Sequence, residues 1–315
     1  MLYDFFLTSD FISGEKIAKK LNISRVAVHK KIQNLRKQGY VIEGIRGKGY
    51  RLIPRFDGLL PLELKLRLKT KIFGKEIITL ESIDSTQILI KELAEKGFPE
   101  GTLVIALEQT SGKGRMNRKW ISPKGGLWFS LLLRPSIPSK DIYKLSLLFG
   151  VAITISLEHY GIKASLKWPN DIIINNRKLC GILLEGDIEL DKVNFVTVGI
   201  GINVNFPSNI LPNDLRSSSI SIYDILGRNI DRAELLCKIL EYSEKLYLQA
   251  INEGFSNIIS LWRSKSSIFG KSIEVKLLDK SIKGIAIDID DDDGSLILNQ
   301  NGKIIKIYSG DVIFL

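Results

Sequence analysis

Gln109-Thr110-Ser111-Gly112-Lys113-Gly114-Arg115-Met116-Asn117-Arg118-Lys119-Trp120 directly follows the apolar run Leu103–Leu107, and the reading of this stretch decides that of the whole chain. Its glycines let backbone amides approach an anion, and Lys113, Arg115, Arg118 and Lys119 supply charge to neutralise it. No Lys–Ser/Thr pair opens a helix after the glycines, so the run is not a Walker loop. Taken alone it is either an anion-binding loop or an exposed basic hairpin tip. Only its neighbours choose between these.

Moving outward, apolar strand-like runs alternate with helical ones. Ile77–Leu80, Leu103–Leu107, Leu127–Leu133, Ile172–Ile174, Gly181–Leu184 and Phe195–Val204 read as strands, and Thr86–Glu95, Ile142–His159 and Ala233–Ala250 as helices. The pattern predicts an α+β layer with a mixed or antiparallel sheet rather than a strict βαβ repeat. Several short segments fall between these runs. Ser82-Ile83-Asp84-Ser85-Thr86-Gln87 opens a helix and offers hydroxyls, although an N-cap alone explains it. Lys167-Trp168-Pro169-Asn170-Asp171 sets an amide and a carboxylate beside a rigid proline, or is simply a turn. Asn175-Asn176 signals a hairpin turn needing positive φ. After it, Lys178 stands beside Gly181, where a strand lysine is ordinarily only solvated. Gly199-Ile200-Gly201-Ile202-Asn203-Val204-Asn205 ends a strand with two asparagines on one face.

The ends of the chain differ from this body. At 315 residues, two or three domains are expected. Residues 1–55 carry twelve lysines and arginines against Asp4, Asp10, Glu15 and Glu43, so +8 of the chain's +10 sits there. Such asymmetry predicts a small module that meets a polyanion. Ser13 and Ser24 cap two helices, the second stopped by Gly39, with Val28, Ile32 and Leu35 as one buried stripe. Val41–Glu43 and Tyr50–Leu52 flank the basic tip Arg46-Gly47-Lys48-Gly49. Helix, turn, helix and hairpin resemble a winged helix-turn-helix. Ser24, Arg25, His29 and Lys30 would enter the major groove, and Arg46 and Lys48 would meet phosphates or the minor groove. A basic helical hairpin used only for packing is the plainer alternative. After Gly270 five short β-runs predict a small SH3-like β-barrel. Asp290–Asp293 reads as an exposed turn, because Gly294 is misplaced for a calcium loop. Two cysteines imply no disulfide framework and fit a reducing cytoplasm. Leu145–Leu157 is too short to span a bilayer, and Asp4 interrupts any signal-peptide run.

Together, in this order, the Gly/Arg loop, Lys167–Asp171, Arg177–Glu185 and Gly199–Asn205 resemble the biotin–protein ligase family, specifically its bifunctional members that also repress biotin synthesis genes. The resemblance spans essentially the whole chain. It implies a winged helix-turn-helix domain at 1–55, a catalytic domain at 62–268 and an SH3-like domain at 269–315. It implies biotin contacts from Ser85, Thr86, Gln87, Gln109, Gly112, Lys113, Gly114, Arg115 and Lys178, and nucleotide contacts from Arg118, Trp120, Asn170, Asp171 and Asn205. Arg115, Lys178 and Asp171 would carry the chemistry. No residue is assigned as a dedicated metal ligand, and Mg2+ is expected with ATP. The implied partners are a biotin carboxyl carrier protein of acetyl-CoA carboxylase, operator DNA and a second copy in a homodimer, with no membrane.

The loop around Ser217–Tyr223 would fold over the adenylate. Lys113, Met116 and Asn117 depart from the family's GRGRRGR, as does Ile220 where an aromatic can occur. A repressor without ligase activity and a lipoate–protein ligase are the competing readings. Lys178 and Arg115 argue against the first, and the Gln109–Trp120 loop and Lys167–Asp171 against the second.

Overall fold

Two serines start the helices of the N-terminal module. In the computed structural model, which describes residues 5–7, 10–189, 192–277 and 279–315, Ser13 Oγ accepts the Lys16 amide at the head of α1 (Gly14–Leu21). Ser24 Oγ accepts the Ala27 amide at the head of α2 (Arg25–Lys37). Each cap contributes about 1 kcal/mol by satisfying an N–H that has no partner within its helix. Val28, Ile32 and Leu35 are buried with Ile17 and Phe6. β1 (Val41–Ile45) and β2 (Gly49–Ile53) form the antiparallel wing, with Arg46 and Lys48 exposed at its tip. Asp4 lies outside the described residues.

The chain divides into two compact units, Met1–Lys69 with Asp231–Cys237, and Thr70–Ile230 with Lys238–Leu315. In the first, residues 54–60 lead into α3 (Pro61–Lys65), whose fully buried Glu63 accepts from the Arg55 amide and from its Nε and Nη2. Asp57 pairs with Arg232 at 2.7 Å, and Arg67 with Asp231 at 2.5 Å.

The second unit is built on a seven-stranded sheet. Its strands are β3 (Ile77–Ile83), β4 (Leu103–Gln109), β5 (Leu127–Leu133), β6 (Ser165–Lys167), β7 (Asp171–Ile174), β8 (Arg177–Glu189) and β9 (Lys192–Ile202). Their order is β3-β4-β5-β9-β8-β7-β6, parallel only between β3 and β4, so the sheet is mixed as expected. Asn175 and Asn176 turn the β7–β8 hairpin at φ 50 and 61°.

α4 (Thr86–Glu95) packs on one face, and the apolar α5 (Lys144–Glu158) is buried along nearly its whole length. An all-round apolar helix belongs in a core, where each buried Leu or Ile contributes roughly 1.5–3 kcal/mol. Two short helices, α6 (Asn213–Arg216) and α7 (Ile222–Leu226), follow β9. α8 (Arg232–Glu253) comes next, and its Glu244 carboxylate accepts the amides of Lys71, Ile72 and Phe73 at 2.7–2.8 Å.

Beyond α9 (Ser256–Lys265) come β10 (Ser272–Lys276), β11 (Ser281–Ile289), β12 (Leu296–Gln300), β13 (Lys303–Ile307) and β14 (Asp311–Phe314). They form an antiparallel SH3-like sheet in the order β13-β12-β11-β10-β14. The Asp290–Asp293 turn is closed by its own amides and an ion pair to Lys306. Among the described residues no helix is long and apolar enough to cross a membrane.

Candidate active site

Gly181 and Gly201 are register partners on β8 and β9, and together they open a slot on the sheet. A Cβ at Gly201 would lie 2.4 Å from Trp120 Nε1, and one at Gly181 would lie 3.1 Å from Trp120 Cζ3 and Lys178 Cε. Only glycines let the indole and the lysine stem lie flat there. Lys178 Nζ sits 5.0 Å from the centre of the Trp120 ring and 2.6 Å from Asp171 Oδ1. Among the described residues that carboxylate oxygen makes no hydrogen bond, so the pair meets as charges off the hydrogen-bond direction. Lys167 Nζ stands 3.6 Å from the other oxygen.

These groups line a cavity of about 570 Å³, walled on one side by the Gln109–Trp120 loop. The loop is pinned by Gly114 N–H to Arg118 O and Trp120 N–H to Gly112 O, each at 2.8 Å. Met116 and Asn117 both take left-handed backbone, φ 55 and 57°. Asparagine tolerates this, whereas for methionine it costs roughly 1 kcal/mol. Arg115 Nη1 donates to Asn170 Oδ1 at 3.2 Å and to Gly310 O at 3.3 Å. Burial pulls its guanidinium below the usual arginine range, with Asp311 and Asp171 opposing. Arg118 is bonded to Asp311, which holds its charge more firmly.

The cavity brings together Ser85, Thr86, Gln87, Gln109, Lys113, Gly114, Arg115, Arg118, Trp120, Asn170, Asp171 and Lys178. Lys113, Arg115, Arg118, Lys119, Lys167, Lys178 and Lys276 face only Asp171 and Asp311, a strong excess of positive charge for a polyanionic ligand. Trp120 Nε1 is buried without a hydrogen-bond partner among the described residues, so it can donate to such a ligand.

Two expected residues stand elsewhere. Asn205 is not in the cavity: its amide donates to Ile230 O at 2.8 Å and accepts Ile230 N–H at 2.9 Å, fixing a loop instead. Asn203, two residues earlier, does line it. Gly112 lies behind the wall, where a Cβ would meet Trp120 O at 2.4 Å. Ile220 is buried rather than turned over the cavity, because its backbone pairs with that of Lys178. Ser218 and Ser219, from the loop expected to cover the adenylate, line the cavity, whereas reasoning from sequence missed Lys276, Val312 and Ile313 from the C-terminal sheet and Leu211 and Leu215 after β9. No local pattern marks them, since long-range packing alone brings them there.

In the other unit, Ser24, Arg25, His29 and Lys30 are exposed on α2. The His29 ring lies 3.4 Å from Tyr50 Oη and 3.3 Å from Gln33 Nε2, so it joins helix to wing.

Cys180, under the slot, is fully buried, and desolvation pushes its thiol well above the ordinary range despite Lys178 nearby. A raised pKa leaves it protonated and unreactive through pH 8. Dithionitrobenzoate at that pH is expected to leave it unlabelled until the protein is unfolded, and rapid labelling of the native protein at Cys180 would contradict this.

Residues 79–203 match the biotin/lipoate A/B protein ligase family, residues 2–51 an HTH domain and residues 268–315 the biotin protein ligase C-terminal domain. The bifunctional ligase/repressor BirA of Bacillus subtilis (strain 168) is 44% identical over 96% of this chain and 94% of its own length. That of Escherichia coli (strain K12) is 33% identical over 97% and 93%. The biotin protein ligase from Aquifex aeolicus, solved in complex with biotin and ATP, superposes with a TM-score of 0.65 at 32% identity, covering 76% of this chain and 98% of that one. It lacks a counterpart for about a quarter of this chain, whereas the Bacillus relative matches nearly all of it. The chain therefore belongs to the bifunctional biotin–protein ligase/repressor family.

Proposed function

We infer that this chain activates biotin with ATP to biotinyl-5'-AMP and transfers the biotinyl group to a lysine of a biotin carboxyl carrier protein, that of acetyl-CoA carboxylase. The observation that carries this reading is one cavity in which seven cations and polar side chains converge. In the first step a biotin carboxylate oxygen bonds to the α-phosphorus as the bond to pyrophosphate breaks. Both reactants are anions, so positioning and charge neutralisation dominate, and Lys178 and Arg115 are the groups suited to it. In the second, a lysine amine attacks the acyl carbon and AMP leaves. Asp171 would accept the proton that the amine gives up. The loop wall limits water, which would otherwise hydrolyse the anhydride.

Mg2+ would be brought by the nucleotide and would neutralise its phosphates. Its ligands would come chiefly from the phosphates, and Asp171 could add one oxygen.

On the same reading the winged module, residues 1–55, binds operator DNA of biotin synthesis genes as a homodimer. Residues 62–268 carry catalysis and 269–315 complete the cavity, and the protein works in the cytoplasm. Biotin-dependent ATP–pyrophosphate exchange, run beside lipoate, tests the ligase reading, and no exchange with either acid would sink it. DNA affinity is expected to rise with biotin plus ATP and to fall steeply with salt. Ligand-indifferent or salt-insensitive binding would count against repression.

A further inference from the structure

Among the described residues, Val26 is the most exposed large apolar side chain, 79% open to solvent. No role above uses it. It is the second residue of α2, just past the Ser24 cap, and the first turn of a recognition helix is the part that meets base edges. It also points directly away from the core. Val26, Lys30, Gln33 and Lys37 recur at i, i+4, i+7 and i+11, whereas Val28, Ile32 and Leu35 form the buried stripe.

Stability does not ask for a valine here. A β-branched residue is a poorer helix former than alanine, and this one buries little in return. Nor does Val26 belong to an apolar patch that a protein partner would cover, since no other large apolar side chain of α2 is exposed. Its exposed neighbours along the helix are Arg25, His29, Lys30 and Lys31, a setting for a polyanion. One isopropyl group among cations therefore needs an apolar partner that a polyanion itself carries. At the base edges of the major groove there is one, the C5 methyl of thymine.

We propose that Val26 reads a thymine in each operator half-site by packing its isopropyl group against that methyl. The helix holds valine largely in one χ1 rotamer, so little freedom is lost on contact. The nearby His29 ring is engaged on both sides, by Tyr50 Oη at 3.4 Å and Gln33 Nε2 at 3.3 Å, which leaves Val26 as the short, rigid reader of this turn. The proposal rests on the operator-binding reading and adds a base that the site must contain.

The test starts from duplexes selected out of a random pool by the full chain with biotin and ATP present. Each thymine of the enriched sequence is then replaced by deoxyuridine, which removes the methyl and keeps every hydrogen-bonding group. At one position per half-site the change is expected to weaken wild-type binding about fourfold, the scale of one buried methyl. Val26→Ala should bind the thymine duplex about fourfold or more weakly, and should tell thymine from uracil there by less than about twofold. Its melting temperature, its affinity for unrelated DNA and the salt dependence of that affinity should not move, because neither a charge nor a core contact is lost. An enriched sequence with no uracil-sensitive thymine, or with one whose sensitivity survives in Val26→Ala, overturns the proposal. A pool that yields no preferred sequence overturns the operator reading itself, and this proposal with it.

Discussion

Lys178→Ala loses biotin-dependent ATP–pyrophosphate exchange by about 10²- to 10³-fold, the scale on which one preorganised charge acts in a water-poor site. Lys178 Nζ is 2.6 Å from Asp171 Oδ1 and lies over the Trp120 ring, in a slot that exists because residues 181 and 201 have no side chains. Lys167 reaches only the other carboxylate oxygen, at 3.6 Å. Arginine in this position should restore little. A planar fork does not fold into a groove shaped for a slim stem, and Gly181 leaves that stem about the room it already uses. Exchange by Lys178→Ala within tenfold of the wild type would remove Lys178 from the reaction. A loss matched by unfolding, checked by melting temperature, would show it to be structural.

Glu244→Ala is expected to lower stability by about 3–5 kcal/mol, because it strips a buried carboxylate from three donors at once. Lys71, Ile72 and Phe73 point their amides at it within 2.8 Å, and Phe73 is almost fully buried against Tyr247 and Phe149. Orphaning those amides costs more than losing the carboxylate's own contacts. At this size the melting temperature should fall by roughly 10 °C. Glu244→Gln should fall between, since its amide oxygen can serve some of the three but carries no charge. A change under 1 kcal/mol would mean that water satisfies the turn as well as the carboxylate does.

Residues whose roles depend on near neighbours were legible in the sequence. Ser13 and Ser24 cap helices wherever they precede them, and Asn175-Asn176 turns a hairpin because both tolerate positive φ. The Gln109–Trp120 loop was legible for the same reason, through its glycines and charges. What could not be read was set by distance along the chain. β6 is only three residues long, and Lys276 and Val312 join the cavity only through the packing of the C-terminal sheet. Asn205 misled because alternation along a strand says which face a residue takes only while the strand lasts. β9 ends at Ile202, and three residues later the amide is turned to Ile230. Ile220 is buried, and its N–H donates to Lys178 O, a pairing that no local pattern marks.

The wall that Asp311, Val312 and Ile313 give the cavity has a bearing on when the protein becomes an enzyme. A ribosome makes a chain from its amino end, so the winged module, the mixed sheet and the basic loop all emerge before the strand that bears Asp311. Until that strand pairs with β10, Arg115 and Arg118 lack their carboxylate and the reaction chamber stands open to solvent. A nascent or prematurely ended chain would thus have the parts to capture DNA before it could retain a reactive adenylate. Synthesis itself orders the two activities, with the leak-prone one last.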